Sequence, residues 1–575
     1  MASRLVLVSA LAAAVIAGAC GEPGSGADVD AADLDAAPED AVSFVDGPLS
    51  DGGADGPVTD AGIDGAPACP SPPNPPGTSA VIGAAGGTVA LGTVVRVVIP
   101  AGALATDTTI TLRPLPLELA WTYRSLTAAY ELGPSTLAFS APATLTVDLG
   151  ALPPAPDEIA LMVGPAAGPF AAAATTRTGT AYSASIAGAT LGFGARTAAP
   201  PAVTAACAPT AVPTDTTYLF QNPSPGGPYH TSYARPTSQG FAVIATHQVA
   251  GLWNVHSYGY TSNGTSIGSV NLTGNTTASI FGGHVAPSGT EVLVAYDSNQ
   301  SMGSEVWVAR KNATGGTVGT PVRVSQDPGI YSQIPQIVAL PGGGAFVVWR
   351  ARDTVLSRYW LRAAVLDSSL VVQTRFDVTP MVASTVPTGF ALVGSASGVG
   401  LVWSWVANTS STSGARYQAF THAGCPMTEI IDVADGYVVN ETVSATLVGD
   451  QVLIATSGNT VVGQPRVPRL RAVHLTTGLL GASRRFDDVS LTHLGVTAHG
   501  GGVQITGANG SIYHQWLGPE LDRRSALTEV ATSSAISDPS SIATSPTGDA
   551  ALVTWVDEIG GGTARGRVRA IGCTP

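Results

Sequence analysis

An all-β chain in two folded parts, a β-sandwich and then a closed ring of repeated sheets, carried on a disordered N-terminal tether, is what this sequence predicts. Three observations lead there. The first 77 residues hold twelve acids and one base, Arg4, with a single aromatic, Phe44. The next 119 residues are short β-rich segments cut by Gly and Pro. The rest repeats itself about every fifty residues. With 575 residues, 45% of them hydrophobic and only 11% charged, the chain can bury several cores.

Charge decides what the chain does not do. The net charge of −14 lies mostly in the first 77 residues, and Lys311 is the only lysine. No Lys/Arg stripe exists to follow a phosphate backbone, so nucleic acid is not an expected partner.

Residues 1–19 form an n-region with Arg4, an apolar run from Leu5 to Ile16, and the small residues Ala17, Gly18 and Ala19 before Cys20. That run is too short to span a bilayer. It resembles a bacterial lipoprotein signal, although Ala17 stands where leucine is commonest. The resemblance implies that Cys20 becomes the lipidated first residue. Gly21 after it, in place of aspartate, implies sorting to the outer membrane or cell surface of a Gram-negative bacterium. Residues 20–77 are Asp, Gly, Ala and Pro, too poor in apolar surface to offset ordering entropy. They are expected to be a disordered tether that joins the lipid anchor to the folded parts.

Residues 78–196 read as a β-sandwich. Within them Ile82 to Gly87, Ile99 to Leu104, Tyr130 to Pro134 and Phe139 to Leu145 occur in succession. That set resembles the ZU-type (ZU5-like) domain of ankyrins, netrin receptors and many bacterial surface proteins. The resemblance implies a sandwich used for protein contacts or as a spacer. Some relatives cut themselves at a His-Phe-Ser site, but the comparable stretch here, Ala189 to Gly194, has neither the histidine nor the serine. Residues 197–214 are expected to be a Pro/Ala-rich linker.

The repeat region begins at 215. Its recurring strand starts at Phe241, Glu291, Ala345, Gly400, Gln451, Gly502 and Ala551. Gly-rich turns precede most copies, and third and fourth β segments come after, such as Trp360 to Val365 and Val371 to Asp377. Four strands per repeat in seven copies predict a seven-bladed β-propeller over 215–575. The last copy lacks a fourth strand, and residues 216–222 have the pattern to supply it. Cys207 and Cys573 would then face each other across the closure and form a disulfide, as exported proteins allow. Cys69 and Cys425 either make a second bridge, from tether to fourth blade, or stay unpaired.

Chemistry-bearing motifs are sparse. Gly264 to Gly268 matches a nucleophile elbow only in letters, because that turn needs a helix after its strand. The nine histidines form no zinc-type spacing, so no metal, cofactor or catalytic residue is expected. Asp327, Asp377, Asp432, Asp487 and Asp538 recur near the ends of fourth strands and would ring one face, unless each caps its own turn. Trp253, Tyr331, Tyr437 and Trp516 lie near loops where they could stack on a sugar or grip a peptide, or pack between blades. The candidate ligand face is therefore Asp327, Tyr331, Asp377, Asp432, Tyr437, Asp487 and Asp538. The reading is a monomeric, non-enzymatic envelope protein that binds protein or glycan. A propeller glycosidase or lyase, and an envelope scaffold, are the alternatives.

Overall fold

The structure is a computed structural model that describes residues 69–72, 77–115, 123–150, 159–164, 171–189, 191–197, 205–209, 219–221 and, apart from short breaks, 232–574. Cys20, the signal and most of the tether lie outside the described residues. The described residues fall in one compact unit, Asp60–Pro575. They form strands and no helix.

Residues 78–197 build two antiparallel sheets. One runs Thr78–Ile82, Thr108–Leu115, Ala129–Gly133, Leu191–Thr197 and Tyr123–Ser125; the other runs Thr175–Thr178, Ala181–Gly188, Ala138–Asp148, Val95–Ile99 and Gly87–Leu91. Their strands alternate in burial. Val95, Val97 and Ile99 are buried while Arg96 and Val98 point to solvent, as a sheet with one wet face requires. The inward residues of both sheets share one apolar cluster.

From Ser232 onward the sheets succeed one another in chain order. The first consists of Ser232–Thr237, Gly240–Val249, Leu252–Tyr260 and Ser266–Asn271, and the second of Ile280–Ser288, Glu291–Ser301, Gly303–Lys311 and Thr317–Arg323. The third is Ile330–Ala339, Ala345–Asp353, Arg358–Leu366 and Val372–Asp377, and the fourth Thr385–Gly394, Val399–Ala407, Ser413–Phe420 and Ile431–Ala434. The fifth is Val438–Val448, Gln451–Asn459, Val467–His474 and Leu480–Arg485, continuous through Ser483 opposite Ser125 with the first sheet of residues 78–197, and the sixth is Thr492–His499, Gly502–Ala508, Ser511–Leu517 and Thr528–Thr532. The seventh has Ile536–Thr544, Ala550–Gly560 and Thr563–Thr574. Each sheet is antiparallel with neighbouring strands in sequence order, which is a propeller-like arrangement.

Here the second strands are buried on both faces, because each sheet is stacked between two others. Gly502–Ala508 is buried at every position, and Ala345 to Trp349 without interruption. Apolar clusters accordingly straddle sheet boundaries: Trp349 and Trp360 of the third sheet pack with Leu293 and Val308 of the second, whereas Phe346 and Leu361 pack with Phe390 and Trp403 of the fourth.

First strands are tied to one another by side chains. Tyr233 Oη accepts the Val285 N–H, and His284 Nδ1 accepts the Ile337 N–H at 3.3 Å. Gln336 Oε1 accepts the Leu392 N–H at 3.0 Å, and Ser444 Oγ accepts that of Val496 at 3.2 Å. Ser541 Oγ of the seventh sheet accepts the Ala234 N–H of the first at 3.2 Å, so the succession closes on itself. Each bond satisfies a buried amide that strand pairing leaves over.

Closure uses more chain than the sequence suggests. Leu219–Gln221 pairs with the last strand at Thr563 to Arg565, inside the segment expected to do so. Ala206–Pro209, expected to be linker, is a second strand on the same edge, pairing with Ile571 to Thr574 and setting Cys207 directly opposite Cys573. The two cysteines are bonded, with Cα atoms 4.2 Å apart. Cys69 and Cys425 form the second bridge, anchoring the start of the described chain to the fourth sheet. The sandwich-like part also meets the ring through the Ser125–Ser483 strand pairing and through apolar contact, since its cluster continues into Val393, Tyr417, Val452 and Leu480 of the fourth and fifth sheets.

Candidate functional site

Hairpin tips between second and third strands lie at the same end of each sheet as the starts of first strands, and this rim holds the candidate face. Of its seven expected residues, Asp327, Tyr437 and Asp487 lie outside the described residues, as does the side chain of Asp538. Tyr331, Asp377 and Asp432 are described.

Asp377 and Asp432 occupy matching places in successive sheets. Each sits opposite an arginine of the third strand, Asp377 across from Arg362 and Asp432 across from Arg416. Both pairs close at 2.9 Å from Nε to Oδ1. Asp377 also accepts the Trp360 indole N–H at 3.0 Å. These two aspartates therefore hold neighbouring strands together. Turn capping falls to others: Asp353 accepts the N–H groups of Val355 and Leu356, and Asp367 those of Ser369 and Val371. The two carboxylates also face different clefts. Trp360, beside Asp377, belongs to the contact with the second sheet, while Arg416 lies over Trp405, which packs toward the third.

Tyr331 leads to residues that sequence reasoning missed. It is half-buried and paired in register with Arg352, which is paired in turn with Tyr359, so the three stand in one row across three strands. Paired residues point to the same side of a sheet, and sides alternate along each strand. Arg350 and Arg352 thus share the side of Phe346 and Val348, and Tyr359 that of Leu361, which is the side turned to the fourth sheet. The Arg350 and Arg352 guanidinium carbons lie 5.5 and 5.3 Å from the Tyr359 ring centroid. From the fourth sheet the same cleft receives Trp405 with Arg416 over its ring at 4.6 Å. Arg352 is exposed, and Val355 and Leu356 project from the adjoining hairpin tip at 88% and 50% exposure. The available signal was Trp349-Arg350-Ala351-Arg352 and then Arg358-Tyr359, a basic cluster in a chain with 26 Lys and Arg in all.

The other expected aromatics serve packing. Trp253 is buried, and Trp516 packs in the cluster beneath the closure with its ring edge against His499 at 4.5 Å. Gly264 to Gly268 spans the turn between third and fourth strands of the first sheet, with no helix after it. On the opposite rim a shallow groove of about 550 Å³ runs between first-to-second-strand turns, lined by Pro287, Gly289, Arg310, Pro341, Gly343 and Ser395. Arg310 there is committed to Glu291, Gly343 O and Ser368 O, at 3.1, 2.8 and 2.9 Å.

Three buried titratable groups lie within the sheets, His284 on a first strand, Asp297 on a second and His514 on a third. Burial, opposed by N–H bonds from Gly282 and Ile334 and by the charge of Arg350, pushes the Asp297 carboxyl up to about 7. Ile334 reaches it from a left-handed conformation, φ 54°, which a β-branched residue adopts only under constraint. Burial, reinforced by Arg235, pushes His284 down to about 3, and burial with a contribution from His499 does the same to His514. Both imidazoles are therefore neutral.

No family model matches the chain, and no curated protein matches it. Among solved structures it is similar to a protein of unknown function from Dyadobacter fermentans, with 11% identity, 52% of this chain and 96% of that one covered, and a TM-score of 0.38. It is also similar to the α-L-arabinanase of Penicillium chrysogenum complexed with arabinobiose, at 11% identity, 60% and 99% coverage and TM-score 0.35. The β-propeller domain of the trilobed protease from Pyrococcus furiosus, described as having an open velcro topology, gives 10% identity, 60% and 94% coverage and TM-score 0.34. At such scores none of these likenesses carries an activity or a ligand to this chain.

Proposed function

We propose that this chain is a lipid-anchored envelope protein in which a ZU-type sandwich holds out a closed seven-bladed propeller, and that the propeller binds an acidic glycan without turning it over. The supporting observation is the Tyr331–Arg352–Tyr359 row in the cleft between third and fourth sheets. Planar guanidinium groups take carboxylates in a bidentate manner, and aromatic faces stack on sugar rings. The row offers both types together on rigid strands, with Arg350 beside it and Trp405 and Arg416 across the cleft. A glycosidase needs two carboxylates facing one substrate. Asp377 and Asp432 are each bonded to an arginine and open to different clefts, which favours binding over hydrolysis. Cys20 and Gly21 support anchoring by lipid at the outer membrane or cell surface.

The test is retention of the full chain on immobilised polygalacturonate and alginate against neutral dextran. Salt-sensitive binding to the acidic polymers is expected, with Arg352→Gln and Tyr359→Ala each weakening it by about tenfold or more at unchanged melting temperature. Equal retention on dextran, unaltered binding by both variants, or release of reducing ends overturns the reading.

A further inference from the structure

The disulfide that closes the ring has a third group beside it. A ring nitrogen of His514, Cys207 Sγ and Cys573 Sγ all lie within 4.8 Å of one another. They come from three separate places: His514 from the third strand of the sixth sheet, Cys573 from the last strand of the seventh, and Cys207 from the strand that precedes the ring. His514 is fully enclosed, and its Nε2 lies 3.0 Å from Oε1 of the equally enclosed Gln504. With that carbonyl accepting, Nε2 carries the proton and Nδ1 keeps its lone pair. Among the described residues Nδ1 meets no hydrogen-bond partner. An enclosed nitrogen without a partner is costly, and the ring that carries it is held beside two sulfurs.

We infer that, in the dithiol state, Cys207, Cys573 and His514 bind a thiophilic divalent cation of the zinc class. Two thiolates and a neutral imidazole are the donors such an ion takes, leaving a fourth position for water. Gln504 fills the outer role, fixing the tautomer through the distal ring nitrogen. The ion and the S–S bond are alternatives. A dithiol reductant breaks the Cys207–Cys573 bond and ends as a disulfide itself, leaving one proton on each Sγ. The cation then displaces both protons as it bonds the two sulfurs and Nδ1. The disulfide ties the leading strand to the seventh sheet alone, whereas the ion ties both to the sixth sheet as well. No sequence motif announces this site, because its ligands are far apart in the chain and converge only through closure.

The experiment uses the full chain, reduced without oxygen, freed of reductant, and titrated with Zn²⁺ against a chromophoric chelator. One tightly held Zn²⁺ and about two released protons per chain are expected, and none in the oxidised protein. Co²⁺ substitution should give a thiolate charge-transfer band. Cys207→Ser with Cys573→Ser should abolish binding, and His514→Gln should weaken it about 100-fold. Cys69→Ser with Cys425→Ser should leave it intact, which separates this site from the other pair. If His514→Gln does not fold, X-ray absorption of the cobalt-loaded wild type must show two sulfur ligands and one imidazole. Absence of Zn²⁺ uptake by the reduced wild type, unweakened binding by a folded His514→Gln, or a cobalt shell lacking imidazole overturns the inference.

Discussion

The two parts of the molecule keep water out in different ways. In residues 78–197 strands such as Thr78–Ile82, Gly87–Leu91 and Val95–Ile99 have a wet side, and single residues alternate between core and solvent along them. In the repeat region each sheet is covered by two others, so runs such as Ala345 to Trp349 are buried without alternation. One wet side lets a sheet satisfy its leftover polar groups with solvent. Two dry sides force those groups to find partners inside, which is where Tyr233, His284, Gln336, Ser444 and Ser541 are spent. The ring also has an end problem that the sandwich-like part lacks, and a covalent clasp addresses it.

The clasp gives the largest expected effect. Cys207–Cys573 and Cys69–Cys425 span nearly equal lengths, 366 and 356 residues, so the chain-entropy model assigns each about 5–6 kcal/mol. Their structural settings differ. Loss of Cys207–Cys573 by double Ser substitution should destabilise the repeat region as a whole, because the seam strands separate. Loss of Cys69–Cys425 should spare it and reduce only protection of the start of the described chain. Hydrogen exchange on the two double variants checks this, and equal deprotection of the first and seventh sheets in both would contradict it.

Next come the dry sides themselves. Trp349 is wholly buried between second and third sheets, and Trp403 and Trp555 hold corresponding places in their own repeats. Trp349→Ala should cost about 3–5 kcal/mol, against about 1–2 kcal/mol for Val97→Ala in a half-wet strand. Chemical denaturation of both variants measures the contrast. A Trp349 cost no larger than that of Val97 would mean that the sheets do not stack as tightly as their clusters indicate.

Much of this fold is legible in the residues alone. The seven repeated apolar strands, the closing segment near Leu219 and the Cys207–Cys573 pair all come from periodicity and from counting strands at the two ends. The strand at Ala206–Pro209 was not legible, because Pro and Ala there suit a linker equally well and only the opposing Cys573 strand selects pairing. The candidate face is legible only in part. Recurrent aspartates draw attention, yet their arginine partners sit on another strand, and a cross-strand register of Arg362 with Asp377 has no signature in one segment. Tyr331 stands out only singly in the sequence, and its row with Arg352 and Tyr359 exists only once three strands are aligned.

The buried titratable groups yield the smallest effect, with a sign that depends on the residue. Asp297 has a folded pKa of about 7 against an ordinary 3.8, so between those values the folded state alone keeps the proton. Its contribution to stability is full below about 4 and is lost as pH rises toward 7. His284 moves from 6.5 to about 3, and His514 likewise; the unfolded chain alone takes their protons in that window. Their contribution is full above about 6.5 and is lost as pH falls toward 3. Between pH 4 and 6.5 the wild type therefore sums one slope against two opposed ones. Asp297→Asn keeps a carbonyl oxygen for the Gly282 and Ile334 N–H groups and removes the first slope, so acid loss over that window should steepen by about 1 kcal/mol per pH unit. His284→Gln removes one of the opposing slopes and should flatten it by a similar amount. Melting temperatures at pH 4.5, 5.5 and 6.5 for the three proteins decide the matter: parallel profiles would mean that neither group titrates where its burial places it.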